Sequence, residues 1–158
     1  MPFEKHIQDY ERRRRHALSM GGAGKLAARK AEGILNARER IDLLVDPGTF
    51  LESGLFATSD RPEARDRTPA DGKIAGYGRL DGREVAIVSN DFTVMGASSS
   101  TANMSKVGHV KGVATRCGMP MVFLGESTGA RMPDVMGAAA IASGDRPTQY
   151  RRMRETPW

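Results

Sequence analysis

The sequence predicts an α/β fold, and three observations predict it. A hairpin signal joins two strand-like runs, an amphipathic helical run follows them, and a short apolar strand then leads into a turn of small residues. Strand, strand, helix, strand, helix is an α/β order, because parallel neighbours in a sheet need a crossover connection between them. The 158 residues suffice for one ordinary domain with a sizeable core. A composition of 39% hydrophobic and 27% charged residues belongs to a globular chain rather than a disordered one.

Residues 3–20 read as a charged helix, closed by the Gly21-Gly22-Ala23-Gly24 break. A second helix is expected over 25–44, with Ile34, Leu35, Ile41, Leu43 and Leu44 along it, ending at the Asp46-Pro47-Gly48 turn. Residues 49–56 suggest a short strand, and 58–71, polar with two prolines, an exposed loop. The strands 73–80 and 84–92 are joined through Asp81-Gly82, a pair suited to the positive φ angles of a type I′ turn. The unbroken run Val85-Ala86-Ile87-Val88 suits a strand buried on both faces.

The stretch Ser98-Ser99-Ser100-Thr101 offers helix N-caps. Beyond it, Met104, Val107, Val110, Val113, Ala114 and Cys117 recur at spacings of three and four, as along the buried face of a helix. Gly118 and Pro120 stop that helix. A strand over 121–124, the turn 125–132 and a helix from Pro133 to about Ala142 complete the unit.

The turn reads GESTGARM, and its first five residues match the G-x-S-x-G pattern of a hydrolase nucleophile elbow. In that fold the histidine follows the serine along the chain. Here His6, His16 and His109 all precede Ser127, so Ser127 is not expected to act as a nucleophile. The other chemistry open to a strand, a small-residue turn and a helix start is electrostatic. Backbone N–H groups of Thr128, Gly129 and Ala130 can stabilise an oxyanion or enolate oxygen, as in acyl-thioester chemistry. Turn-making alone also accounts for the same residues.

No apolar run approaches the roughly 20 residues of a membrane-spanning helix. The N-terminus carries Glu4, Asp9 and Glu11 among its basic residues and no apolar h-region, so neither a secretory nor a transit signal is expected. The single cysteine, Cys117, excludes an internal disulfide or a multi-cysteine metal site, and is read as a core residue of its helix. Together these features point to a cytoplasmic protein. The net charge of +5 gathers largely in Arg12–Arg15 and in Arg146, Arg151, Arg152 and Arg154. A solvated helix face, a phosphorylated ligand, an acidic partner and nucleic acid all suit such clusters. No zinc spacing, RNP-type aromatic pattern or basic-region heptad accompanies them, which argues against nucleic acid.

Three segments carry a family resemblance: NARERIDLLVDPGTF (36–50), DGKIAGYGRLDGREVAIVSNDFTVMG (71–96) and GHVKGVATRCGMPMVFLGESTGARM (108–132). In this order they resemble the carboxyltransferase (β) subunit of biotin-dependent acyl-CoA carboxylases of the propionyl-CoA carboxylase type. The resemblance runs from about Gly21 onward and corresponds to the beginning of the first of the family's two related halves. It implies a crotonase-like spiral of ββα units, with 1–48 as an N-terminal helical segment and 49–158 as the start of the carboxyltransferase N-domain.

The implied reaction moves a carboxyl group from carboxybiotin to the α carbon of an acyl-CoA through an enolate. Biotin would arrive on a partner, so biotin carboxyl carrier and biotin carboxylase subunits, a second carboxyltransferase half and an oligomeric assembly are the implied partners. The backbone of Thr128, Gly129 and Ala130 would form the oxyanion hole. Thr128 stands where the family has the first of two adjacent glycines, so its side chain must turn away from the ligand. Arg131 is the candidate cofactor-binding side chain, pairing with a phosphate or a carboxylate, the competing reading being that it braces the turn. A truncated or split chain serving as a non-catalytic acyl-CoA-binding or assembly module is the alternative to an enzyme component.

Overall fold

A computed structural model of the chain describes residues 3–137. Three helices, α1 (Glu4–Leu18), α2 (Ala23–Ala31) and α3 (Ala37–Leu44), precede a four-stranded sheet. Its strands are β1 (Leu51–Ser53), β2 (Lys73–Leu80), β3 (Arg83–Asn90) and β4 (Met121–Leu124), in spatial order β1-β2-β3-β4. The first two pairings are antiparallel. The β3–β4 pairing is parallel and is reached through α4 (Thr101–Cys117). A short α5 (Met132–Val135) follows the turn after β4.

The β2–β3 hairpin turns on Asp81 and Gly82, at φ 51° and 76°, as the Asp-Gly pair predicts. A long-range cap reinforces it, because the Asp46 carboxylate accepts the N–H groups of Asp81 (3.0 Å) and Gly82 (2.9 Å). Alternation along the strands then divides the core. Ile74, Val85 and Ile87 pack with Ala37, Ile41 and Val45 on one side of the sheet. Ala75, Ala86 and Val88 pack with Val110, Ala114 and Met121 on the other. A strand covered on both faces requires an uninterrupted apolar run, and Val85–Val88 supplies it.

Helix α4 starts at a capping box in which Ser100 and Asn103 exchange side-chain and backbone bonds, and it ends at Gly118 in the left-handed conformation. Its buried face differs from the predicted apolar stripe. Asn103, Lys106, Val110, Lys111 and Ala114 are buried, Met104, Val107 and Val113 are half-buried, and Cys117 is exposed rather than in the core. Polar residues go inward because they serve the chain opposite. Lys106 Nζ donates to the carbonyls of Ala70 (3.3 Å) and Lys73 (2.6 Å), and Asn103 Nδ2 to that of Asp71 (3.0 Å).

Those bonds also explain a second difference. The predicted exposed loop is exposed mainly where it forms a 3₁₀ helix over Pro62–Arg67, while residues 68–72 are buried. Buried backbone needs partners, and α4 provides them. A third difference concerns the helix expected over 25–44, which is two helices. Gly33 takes a positive φ of 75°, and Asn36 caps α3 by accepting the N–H groups of Arg38 and Glu39. The strand expected over 49–56 is confined to Leu51–Ser53. The helix expected from Pro133 to Ala142 is described only over Met132–Val135, and the arginines from 146 onward lie outside the described residues. Among the described residues no helix is long and apolar enough to cross a membrane.

Candidate functional site

The predicted turn lies between the loop after β3 and the start of α4. Two backbone bonds fix its far side: Ser99 N–H donates to the Gly129 carbonyl (2.8 Å), and Arg131 N–H donates to the Ser99 carbonyl (2.7 Å). Thr128 N–H donates to the Gly96 carbonyl at 2.9 Å. Its side chain lies over Gly96, where an added Cβ would come within 2.6 Å of the threonine methyl. Gly96 therefore lets the two loops close on each other.

Ser127 is occupied structurally. Its hydroxyl donates to the Ala97 carbonyl (3.1 Å) and accepts Gly129 N–H (3.1 Å). No histidine is among its partners in the described residues, and His109 is exposed on α4. Of the three N–H groups singled out in the sequence, that of Thr128 is spent on Gly96 and that of Gly129 on the neighbouring Ser127 hydroxyl. Ala130 N–H has no acceptor among the described residues. A trans peptide directs its C=O and N–H oppositely. Since the Gly129 carbonyl points at Ser99, the Ala130 N–H faces the open side of the turn, and Ala130 is exposed.

Arg131 lies beneath the turn, 6% exposed. Its Nη1 donates to Asp71 Oδ1 (2.7 Å) and Asp134 Oδ2 (2.9 Å), and its Nε to Ser98 Oγ (3.3 Å). Asp71 is fully buried and also accepts the Ser100 hydroxyl. The turn, the 68–72 segment and the start of α4 are thus tied through one guanidinium. Asp71 and Asp134 went unnoticed in the sequence, and no local pattern marks a pair brought together only by folding. On the other flank Glu126 pairs with Arg29 (2.6 Å) and Arg40 (3.6 Å), while its carbonyl accepts Asn90 Nδ2 (3.0 Å).

A cavity of about 240 Å³ adjoins the turn. Met104, Val107 and Phe123 form an apolar wall, and Lys73, Asn90, Ser99 and Ser127 a polar one. Lys73 Nζ donates to Asn90 Oδ1 (3.1 Å) and the Ala97 carbonyl (3.2 Å). Burial pushes its pKa down to about 8, with Asp71 opposing and Arg131 adding to the shift. Neither Lys73 nor the cavity was visible beforehand, because a lysine opening a strand reads as a solvated end.

A strand running into a small-residue turn, with an unspent main-chain donor on its open side, is an arrangement able to donate to a ligand oxygen. The chain belongs to the carboxyl transferase domain family, whose model matches residues 28–144. It is 41% identical over 129 residues to the mitochondrial propionyl-CoA carboxylase beta chain of Homo sapiens, an alignment covering 78% of this chain and 24% of that protein. The chain therefore spans about a quarter of that relative's length.

Among solved structures, transcarboxylase 12S with methylmalonyl-coenzyme A bound superimposes with a TM-score of 0.77 at 31% identity. The superposition covers 95% of this chain and 28% of that one. A single-chain, multi-domain long-chain acyl-CoA carboxylase gives 0.79 at 29% identity, over 96% of this chain and 16% of that one. The fold is crotonase-like, as the resemblance implied.

Proposed function

We propose that the chain is the acyl-CoA-binding part of a carboxyltransferase that adds a carboxyl group to the α carbon of an acyl-CoA. The observation that carries this reading is the unspent Ala130 N–H on the exposed turn of a chain in the carboxyl transferase domain family. The thioester oxygen accepts from Ala130, and also from Gly129 once it displaces the adjacent Ser127 hydroxyl. Charge that develops on this oxygen as the α proton leaves is met by these N–H groups and not by Arg131, whose guanidinium is paired underneath the turn. Such a donor typically contributes a few kcal/mol to an enolate-like transition state. Thr128 closes the turn through its bond to Gly96 and is not a ligand donor. Arg131 serves as the brace.

Biotin as carboxyl donor is part of the same proposal, arriving on a carrier and meeting a second carboxyltransferase half, and turnover is expected only when these are supplied.

Calorimetric titration of the chain with propionyl-CoA and with free CoA tests the reading. Ala130→Pro removes the donor and leaves both bonds to Ser99, which use the Gly129 carbonyl and the Arg131 N–H. We expect saturable binding of propionyl-CoA by the wild type, weakened about three- to tenfold in Ala130→Pro. Circular dichroism checks that the variant is folded. Equal affinity in a folded variant contradicts the assignment.

A further inference from the structure

We propose that the cavity beside the turn is a carboxylate subsite, in which the ammonium of Lys73 and the hydroxyl of Ser99 receive the carboxyl group that the transfer adds to the acyl chain. The inference rests on the acyl-CoA reading and extends it from the thioester oxygen to the new substituent.

Three observations carry it. First, the cavity is lined by Ser127, whose hydroxyl accepts Gly129 N–H at 3.1 Å, so it adjoins the serine that covers one of the two donors assigned to the thioester. Second, Lys73 is the one charged side chain lining the cavity among the described residues. An ammonium has three donors. Two of them are used, on Asn90 Oδ1 (3.1 Å) and the Ala97 carbonyl (3.2 Å), which leaves one. The Ser99 hydroxyl, on the same wall, has no partner among the described residues. Third, the carboxylate that would otherwise claim the lysine is engaged elsewhere. Asp71 accepts from Arg131 Nη1 at 2.7 Å and from the Ser100 hydroxyl. A buried cation whose nearest acid is committed to another cation is suited to an incoming anion.

The wall opposite Lys73 is apolar, formed by Met104, Val107 and Phe123. An uncarboxylated chain meets only that wall. The carboxylated one meets the lysine as well, so the site favours the reaction's carboxylated partner over the bare acyl-CoA. The lysine's charge also sets a pH dependence. With its pKa near 8, the ammonium is largely present at pH 7 and largely lost by pH 9, so the preference falls as pH rises. The charged groups acting on it are Asp71 of the 68–72 segment and Arg131 of the turn.

The test compares propionyl-CoA with methylmalonyl-CoA on the 158-residue chain, by calorimetry at pH 7 and pH 9. Wild type, Lys73→Met and Lys106→Met are titrated in parallel. Lys106 is buried on α4, outside the cavity lining, so its variant controls for the loss of any buried positive charge. We expect wild type to favour methylmalonyl-CoA by roughly tenfold at pH 7, the scale of one hydrogen bond to a charged group. The preference should shrink at pH 9 and vanish in Lys73→Met with propionyl-CoA affinity kept, while Lys106→Met keeps the preference. Wild type binding both ligands equally, or Lys73→Met retaining the preference, overturns the subsite and leaves the acyl-CoA reading standing. Wild type binding neither ligand overturns that reading, and the subsite with it.

Discussion

Replacing Arg131 with leucine lowers the stability of the chain by about 3–5 kcal/mol, the cost of leaving buried carboxylates without their cation. The side chains of Arg131 and Asp71 are 5% and 0% exposed, so solvent screens little of the loss. Asp134 loses the same guanidinium, and the bond from Arg131 Nε to Ser98 goes with it. Urea unfolding measures the effect as a shift in midpoint at unchanged slope. Combining Arg131→Leu with Asp71→Asn recovers part of the loss, because the double change removes both charges of the closest pair. The result separates the two roles open to this arginine in the sequence. A ligand-binding arginine would leave stability nearly unchanged and weaken only acyl-CoA affinity, whereas a brace changes stability first.

Gly21→Ala is expected to cost about 1–3 kcal/mol, the usual range for forcing an extra methyl into a filled space. A Cβ on Gly21 would lie 2.2 Å from the Thr93 carbonyl oxygen and 2.5 Å from Thr93 Cβ, and backbone cannot yield as a flexible side chain does. The α1–α2 junction would then lift from the loop after β3. Its attachments there are the bond from Gly21 N–H to Thr93 Oγ1 (2.9 Å) and that from Lys25 Nζ to the Thr93 carbonyl (3.0 Å). Gly24→Ala, three residues on and with open space around its Cβ position, is the matched control. It lies inside α2, where alanine gains roughly 0.5–1 kcal/mol over glycine. Thermal or urea unfolding of the pair should move in opposite directions.

The parts of the fold legible in the sequence are those written in local chemistry. Asp81-Gly82 gave the hairpin, Val85–Val88 the doubly covered strand, Ser100 and Gly118 the ends of α4, and Met121–Leu124 the last strand. The break between α2 and α3 was legible too, in Asn36 and Glu39 at capping-box spacing, but the apolar spacing around it suggested one continuous helix. What could not be read depends on distant partners. The 68–72 segment looks like a solvated loop until Arg131, 60 residues beyond Asp71, pairs with it. Lys73 and Lys106 look like surface charges until the carbonyls they bond are in place. The turn itself was found from its pattern. Which of its N–H groups remains unspent depends on Gly96 and on the Ser127 hydroxyl, and no spacing rule encodes that.

Whether the open side of this turn holds an acyl-CoA oxygen through Ala130 is read from the amide signal of Ala130 in ¹⁵N-labelled chain, followed through titrations with propionyl-CoA and with free CoA. A proton that gains an acceptor moves downfield. The Ala130 amide is expected to shift progressively downfield with propionyl-CoA and to stay in place with CoA alone. Binding that perturbs other amides, such as those of the arginine-rich α1, while the Ala130 signal stays still would contradict the assignment.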